Sequence, residues 1–220
     1  MSCRQCVGIE EHFNQKYVTK ELKLYRDEGP EKSTQLLIDA LIAENVSSMT
    51  LLDIGGGVGS IQLGLLKAGA SSCVSVESSA AYIEAAKEEA ERQGHAESIS
   101  HRLGDFVDLA ADLPGCDIVT LDRVICCYHD VVGLVEKSVK LAKSMYGVVY
   151  PLENWKTKMG GFFENMTYRF HRSPFRFFLH SPKVVEGIIL GEGFERRFYR
   201  ELGMWQIVVY RRVHPEEVRS

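Results

Sequence analysis

Leu51-Leu52-Asp53-Ile54-Gly55-Gly56-Gly57-Val58-Gly59-Ser60 is an apolar run that ends in four glycines and continues into a helical pattern. A strand that turns through glycines into a helix lets backbone N–H groups approach a ligand closely at the helix N-terminus. Asp53 stands where dinucleotide-binding loops usually hold an apolar residue, and Ser60 replaces the third glycine of their Gly-x-Gly-x-x-Gly pattern. The run therefore predicts a ligand-binding loop after a first strand and disfavours an NAD-dependent oxidoreductase.

On the C-terminal side of this loop, short apolar runs alternate with helical patterns. Strands are predicted at 49–54, 73–76, 99–103, 117–121 and 146–150, and helices at 60–68, 80–93, 131–144 and 183–191. Such alternation is typical of βαβ units in a parallel sheet. Two further strands, 195–200 and 205–211, flank Glu201-Leu202-Gly203 and predict an antiparallel hairpin. We therefore expect an α/β fold with a seven-stranded, mostly parallel sheet, helices on both faces and a last strand that runs against the others.

One domain is expected for a chain of 220 residues. Two helical patterns, over 9–28 and 33–44, precede the first strand and are separated by Gly29-Pro30. The chain then divides into N-terminal helices (1–45), a core (46–150), an insert or lid (151–183), and a closing helix and hairpin (184–220).

The composition limits the classes of partner. The net charge of −4 gives no reason to expect nucleic acid, although residues 151–220 carry 12 Lys and Arg against 8 Asp and Glu. The six cysteines are scattered and predict reduced thiols. Cys3 and Cys6 offer two thiols where a structural zinc site needs four ligands, so no metal is predicted. The sequence lacks an apolar leader and a membrane-spanning run, so we expect a cytoplasmic protein; its oligomeric state stays open.

Glu77 is a second acidic residue at the end of a predicted strand, 22 residues beyond Gly55. This spacing places its carboxylate, with Ser78 beside it, at the tip of the strand next to the glycine loop. There it can accept hydrogen bonds from the two hydroxyls of a ribose. An isolated Glu would more simply be a solvated loop residue, but Asp53 and the glycines that precede it favour the ribose contact.

With these motifs in place, residues 33–150 resemble the class I methyltransferases that use S-adenosyl-L-methionine (SAM). The resemblance implies a Rossmann-like sheet, SAM as the cofactor and S-adenosyl-L-homocysteine as its product. It also implies which residues hold the cofactor: Asp53, Gly55, Gly56, Gly57 and Gly59 for the methionine part, Glu77 and Ser78 for the ribose, and Asp105 and Phe106 for the adenine. A turn or a helix cap is the alternative role for Asp105.

The most distinctive segment is Asp117-Ile118-Val119-Thr120-Leu121-Asp122-Arg123-Val124-Ile125-Cys126-Cys127-Tyr128-His129-Asp130. In the family that it resembles, this strand end faces the transferable methyl group, so Asp122 and Arg123 are assigned to cofactor binding. Tyr128 is predicted to orient the acceptor. His129, whose ordinary pKa is near ~6.5, is predicted to act as a general base. A helix cap is an equal alternative for His129.

The same segment lacks the Asn/Asp-Pro-Pro-Tyr/Phe run with which DNA and RNA amino-methyltransferases typically hold a base. Its Asp-x-x-Ile-x-x-Tyr pattern, from Asp122 to Tyr128, more loosely resembles the magnesium-protoporphyrin O-methyltransferase branch. Nucleic acid is therefore disfavoured as the substrate.

The insert is both aromatic and basic. Residues 154–183 hold eight of the 21 aromatic side chains and six Lys and Arg against one acid, Glu164. Aromatic walls with cations would suit a flat or apolar acceptor that carries a carboxylate, which predicts a lid or pocket with Arg169 and Arg172 as acceptor-binding residues. Two alternatives stay open: the aromatics complete the core, or they dip into a membrane surface while the cations meet anionic lipid.

The function predicted from these features is SAM-dependent methyl transfer to a small-molecule acceptor. One alternative is a methyltransferase that acts on protein or RNA, which a wide acid-binding groove would favour. Another is a SAM-binding interaction protein without catalysis, which a blocked methyl-facing pocket would favour.

Overall fold

The computed structural model describes residues 4–213, with side chains from Val7 onward. The strands within this range form one sheet. Cys3 and the side chain of Cys6 lie outside the described residues. The strands are β1 (Thr50–Ile54), β2 (Ser72–Glu77), β3 (Ile99–Leu103), β4 (Cys116–Asp122), β5 (Ala142–Pro151), β6 (Phe194–Leu202) and β7 (Trp205–Arg212). Their order is β3-β2-β1-β4-β5-β7-β6, and β7 alone among these strands runs antiparallel to both of its neighbours. The predicted Rossmann-like sheet with one reversed strand is confirmed.

Helices cover both faces of this sheet. They are α1 (Arg4–His12), α2 (Gln15–Glu28), α3 (Lys32–Ala43), α4 (Ser60–Lys67), α5 (Ala80–Arg92), α6 (Phe106–Leu109), α7 (Val131–Leu141), α8 (Trp155–Phe170) and α9 (Pro182–Gly191). The neighbours Leu51 and Leu52 point to opposite faces because side chains alternate along a strand. Leu51 packs in one buried cluster with residues of α3 and α4, and Leu52 packs in another with residues of α7 and α9. The continuous apolar run of β1 is thus explained by burial on both faces.

Two helix boundaries differ from the sequence-based prediction. The pattern over 9–28 is broken into α1 and α2, because the side chain of Asn14 accepts from the N–H groups of Lys16 and Tyr17 and so begins a new helix. The helix predicted to reach residue 144 ends at Leu141, since Ala142 already pairs with Cys116 in the sheet.

The parallel strands bring their carboxyl ends to one edge of the sheet. Gly55, Glu77 and Asp122, which follow or end β1, β2 and β4, meet there. The α2 helix lies over the same edge against α5, where the Tyr82 hydroxyl donates to Glu21 at 2.6 Å. None of the helices within residues 4–213 is both long and apolar enough to cross a bilayer.

Candidate active site

A cavity of about 330 Å³ opens at this carboxyl edge. The ends of β1, β2 and β4 and the start of α6 form one part of its wall. The other part comes from α1, α8 and the extended segment 171–181 that follows α8, here called the strap. The cavity therefore has a polar end at the sheet and an aromatic end beneath α1 and the strap.

The glycine loop needs its glycines for two separate reasons. Gly55 and Gly57 have φ of +67° and +55°, a region that residues with a side chain rarely adopt. A Cβ on Gly55 would collide with Val124, and one on Gly56 would collide with Gln62 and Asp53. Gly55, Gly56 and Gly57 all line the cavity, and their contact with a cofactor stays a prediction.

Asp53 and Gly59 take a different place from the one predicted, since neither lines the cavity. Asp53 is buried behind the loop, where it accepts from the Thr120 hydroxyl at 2.6 Å and from Gln62 Nε2 at 3.1 Å. Burial raises its pKa to about 6. Gly59 precedes α4 with a φ of +88°. Both residues shape the loop from behind, so any influence they have on a ligand passes through the loop backbone.

Glu77 is buried at the end of β2 and lines the cavity. Its Oε1 accepts from the N–H groups of Ser78 at 2.8 Å and Ser79 at 3.0 Å, and its Oε2 accepts from Gly57 N–H at 3.3 Å. Burial raises the pKa of Glu77 to about 7, although these backbone donors oppose the shift. The carboxylate is thus held in one orientation and tied to the glycine loop, with Ser78 beside it in the cavity wall.

Asp105 and Tyr128 form a second polar contact in the wall. Asp105 begins α6 by accepting from Val107 N–H at 2.9 Å, so the helix-cap role and the cavity position coincide. The Tyr128 hydroxyl donates to the same carboxylate at 2.9 Å. Tyr128 was predicted to orient the acceptor, but this contact directs it to the predicted adenine-binding pair of Asp105 and Phe106.

Asp122 and Arg123 both line the cavity. Asp122 Oδ2 accepts from the Thr34 hydroxyl at 2.6 Å, and burial raises the pKa of this carboxyl. Its Oδ1 is buried, lies 3.5 Å from Arg123 Nε and makes no hydrogen bond within the described part of the chain. A buried carboxylate oxygen in this state suits an N–H donor or a cation on a ligand.

His129 is not brought to the cavity. Its ring is exposed, lies 5.2 Å from that of Tyr128 and is absent from the residues that line the wall. His12 is in the wall instead, with its ring stacked on Phe175 at 4.2 Å. Burial lowers the pKa of His12, while the nearby Glu164 opposes that shift. Sequence reasoning missed His12 because no motif links α1 to the distant strand ends.

The strap closes the aromatic end through backbone hydrogen bonds. Phe178 N–H donates to the Cys126 carbonyl at 2.7 Å, and Asn165 bonds to both backbone groups of Phe177. Phe175 and Phe177 of the strap line the cavity, as the predicted lid or pocket requires. Arg169 and Arg172 do not: both are exposed and lie outside the cavity wall.

Comparisons with known proteins agree on one class. The sequence profile of the O-methyltransferase domain matches residues 2–150. Magnesium protoporphyrin IX methyltransferase from Synechocystis PCC 6803, solved with S-adenosylhomocysteine, is similar with a TM-score of 0.73 and 17% identity, covering 95% of this chain and 100% of that one. The same enzyme with SAM gives a TM-score of 0.70 and 16% identity, with 95% and 97% covered.

An O-methyltransferase family protein from Burkholderia thailandensis is also similar, with a TM-score of 0.68 and 13% identity; 94% of this chain and 64% of that chain are covered. No protein of curated function matches this sequence.

Proposed function

This chain belongs to the O-methyltransferase domain family, and from that premise we propose that it transfers the methyl group of SAM to a small, flat or apolar acceptor bound beneath α1 and the strap. One observation carries the proposal: the glycine loop, Glu77, Asp105 and Asp122 line the polar end of a cavity whose other end is aromatic. This arrangement offers places for a charged nucleoside and for an apolar acceptor side by side. The family match confirms the prediction that this protein is a SAM-dependent methyltransferase.

The residues at the polar end fit SAM part by part. The ribose hydroxyls would donate to Glu77, whose carboxylate is already oriented by Ser78 and Ser79. The methionine ammonium would donate to Asp122 Oδ1, which is buried and has a long ion pair with Arg123 Nε at 3.5 Å. The adenine would lie beside Asp105 and Phe106. When bound, SAM supplies a methyl group on a positively charged sulfur.

The chain itself contributes acceptor positioning, exclusion of water and removal of a proton. Holding an acceptor oxygen in line with a methyl group replaces a random encounter by an oriented one. His12 lies in the wall of the aromatic end, and the lowered pKa keeps its imidazole neutral and able to take a hydroxyl proton near pH 7. We therefore propose His12 as the general base in place of His129.

The aromatic walls support a flat or apolar acceptor, but the position of the cations does not support a carboxylate on it. Arg123 is the one Lys or Arg side chain in the described cavity wall, and it is already paired with Glu31 and Asp122. Glu21 and Glu164 also line this region. A neutral hydroxylated aromatic compound thus fits the charges better than an anion does.

Isothermal titration tests the cofactor. We expect SAM and S-adenosylhomocysteine to bind in the micromolar range, ~8 kcal/mol, and NAD not to bind. The reason for expecting no NAD binding is that Asp53 and Ser60 depart from the pattern of the dinucleotide loop. Mass spectrometry of the ligand that co-purifies with the protein provides an independent measurement. Binding of NAD with no binding of SAM would contradict the proposal.

SAM binding should also depend on pH through Glu77. The folded pKa of about 7 lies above the ordinary value, so the apo protein favours the neutral carboxyl below pH 7. Because an ionised carboxylate accepts from ribose hydroxyls more strongly than a neutral carboxyl does, we expect Kd to rise by up to about tenfold between pH 8 and pH 6. The Glu77→Gln variant should bind more weakly and lose most of this pH dependence. Equal pH profiles in both proteins would show that another group, such as Asp53, titrates instead.

A further inference from the structure

The outward face of α8 carries a continuous apolar stripe. Its members recur at three- and four-residue spacing, which places them on one side of a helix; they are Trp155, Met159, Phe162, Phe163, Met166 and Phe170. All are exposed, with 67% of Trp155, 63% of Phe162 and 85% of Phe170 open to solvent. The aromatics of this stripe therefore do not complete the core, which was one of the alternatives considered for the insert.

Cations flank the stripe on both sides. At about 100° per residue, Lys156 falls on one flank of the stripe, and Lys158 and Arg169 fall on the other. All three are exposed, as is Arg172 just after the helix. Lys158 is paired with Glu153 at 3.1 Å, while Glu164 lies on the opposite side of the helix and faces the cavity. An apolar stripe with basic flanks is the pattern of a helix that lies in the plane of a bilayer surface.

The charges beside the stripe also indicate whether its partner is a lipid surface or a second copy of the chain. Two identical α8 faces related by a twofold axis would bring their basic flanks against one another. An anionic lipid surface would instead attract these flanks while the aromatics enter the interface. We propose that α8 docks this enzyme on an anionic membrane surface, with Trp155, Phe162, Phe163 and Phe170 inserted among the lipids.

Docking through α8 would also determine where the aromatic end of the cavity lies relative to the membrane. Glu164 and Tyr168, on the opposite side of α8, line the aromatic end of the cavity. Docking would therefore hold that cavity directly behind the helix that touches lipid. The docking itself needs neither cofactor nor acceptor, so it can be measured independently of catalysis.

Vesicle sedimentation tests the proposal with the full chain alone. We expect binding to phosphatidylcholine vesicles that contain about a third phosphatidylserine, and binding at least about tenfold weaker to pure phosphatidylcholine. High salt should release the protein, because screening weakens the attraction of the basic flanks. In a Trp205→Phe protein, the emission of Trp155 should shift to shorter wavelength when the anionic vesicles are added.

The Phe162→Ser/Phe163→Ser double variant should lower vesicle affinity at least about tenfold. Leu24→Ser/Leu103→Ser is the matched control, since these leucines are 51% and 58% exposed but lie on α2 and β3. Its affinity and melting temperature should stay near those of the wild type. Arg169→Gln/Arg172→Gln should weaken binding to anionic vesicles without raising the acceptor KM. Absence of vesicle binding overturns the proposal, as does binding that the Phe variant retains. A dimer that the Phe variant dissociates, without lipid binding, would assign the stripe to self-association and equally overturn it.

Discussion

Gly57→Val is expected to raise the Kd for SAM at least about 100-fold, equivalent to about 2.7 kcal/mol or more. Gly57 has a φ of +55°, which a β-branched side chain tolerates poorly. A Cβ built on Gly57 would lie 3.7 Å from the nearest atom of Tyr82, which is an ordinary van der Waals contact. The larger valine would extend into the cavity, where the loop backbone is proposed to contact SAM. Titration calorimetry on the folded variant measures the effect.

Gly203→Val is the matched control for this change. Gly203 has a nearly identical φ of +61°, in the turn between β6 and β7, and no atom lies within 4 Å of a Cβ built there. It therefore carries the same backbone strain outside the glycine loop, and it does not itself line the cavity, although its neighbour Met204 does. We expect a lower melting temperature in both variants but loss of SAM binding in Gly57→Val alone. Normal SAM binding by a folded Gly57→Val protein would rule out the proposed cofactor position.

Glu77→Ala is expected to weaken SAM binding by about 1.5–3 kcal/mol, or about 10- to 150-fold in Kd. The variant removes the acceptor of the two ribose hydroxyls. It also leaves the N–H groups of Gly57, Ser78 and Ser79 without their carboxylate partner. Some of the loss therefore comes from a less ordered loop, which a fall in melting temperature would report. Glu77→Gln keeps an oxygen acceptor and should lose less affinity than Glu77→Ala.

Asp117→Ala is the control for a lost carboxylate. Asp117 lies at the start of β4 and accepts from Thr50 N–H at 2.8 Å, much as Glu77 accepts from its neighbours. It stands at the opposite edge of the sheet and does not line the cavity. We expect Asp117→Ala to destabilise the protein while SAM affinity stays unchanged. If both variants lost affinity equally, the loss would reflect general destabilisation rather than a ribose contact.

Much of the polar end was predictable because its signals are local in the sequence. Strand, loop and helix follow one another within 51–67, and parallel strands bring their carboxyl ends together. These rules place Gly57 and Glu77 at one edge before any packing is known, and Asp105 follows from its position after β3. Their contact with SAM stays a prediction, which the Gly57 and Glu77 variants test.

The aromatic end was harder to predict because its residues meet through long-range packing. His12 reaches the cavity only because α1 folds back over the strap and its ring stacks on Phe175, 163 residues later. His129 stood in the more suggestive sequence context, yet the turn after β4 leaves it exposed. The direction of a side chain in such a turn depends on the neighbouring strap, which hydrogen-bonds to the Cys126 and Tyr128 carbonyls.

The sequence by itself determined the alternation of strands and helices, the glycine loop after the first strand and the acidic residue after the second, because hydrophobic periodicity and glycine turns act over a few residues. Only the tertiary structure decided that Asp53 lies behind the loop, that Tyr128 bonds to Asp105, and that the insert presents its aromatics on two sides. A helix has the same sequence periodicity whichever side it buries. The side of α8 that faces the cavity was therefore selected by packing against the strap, and the stripe from Trp155 to Phe170 was left in contact with solvent.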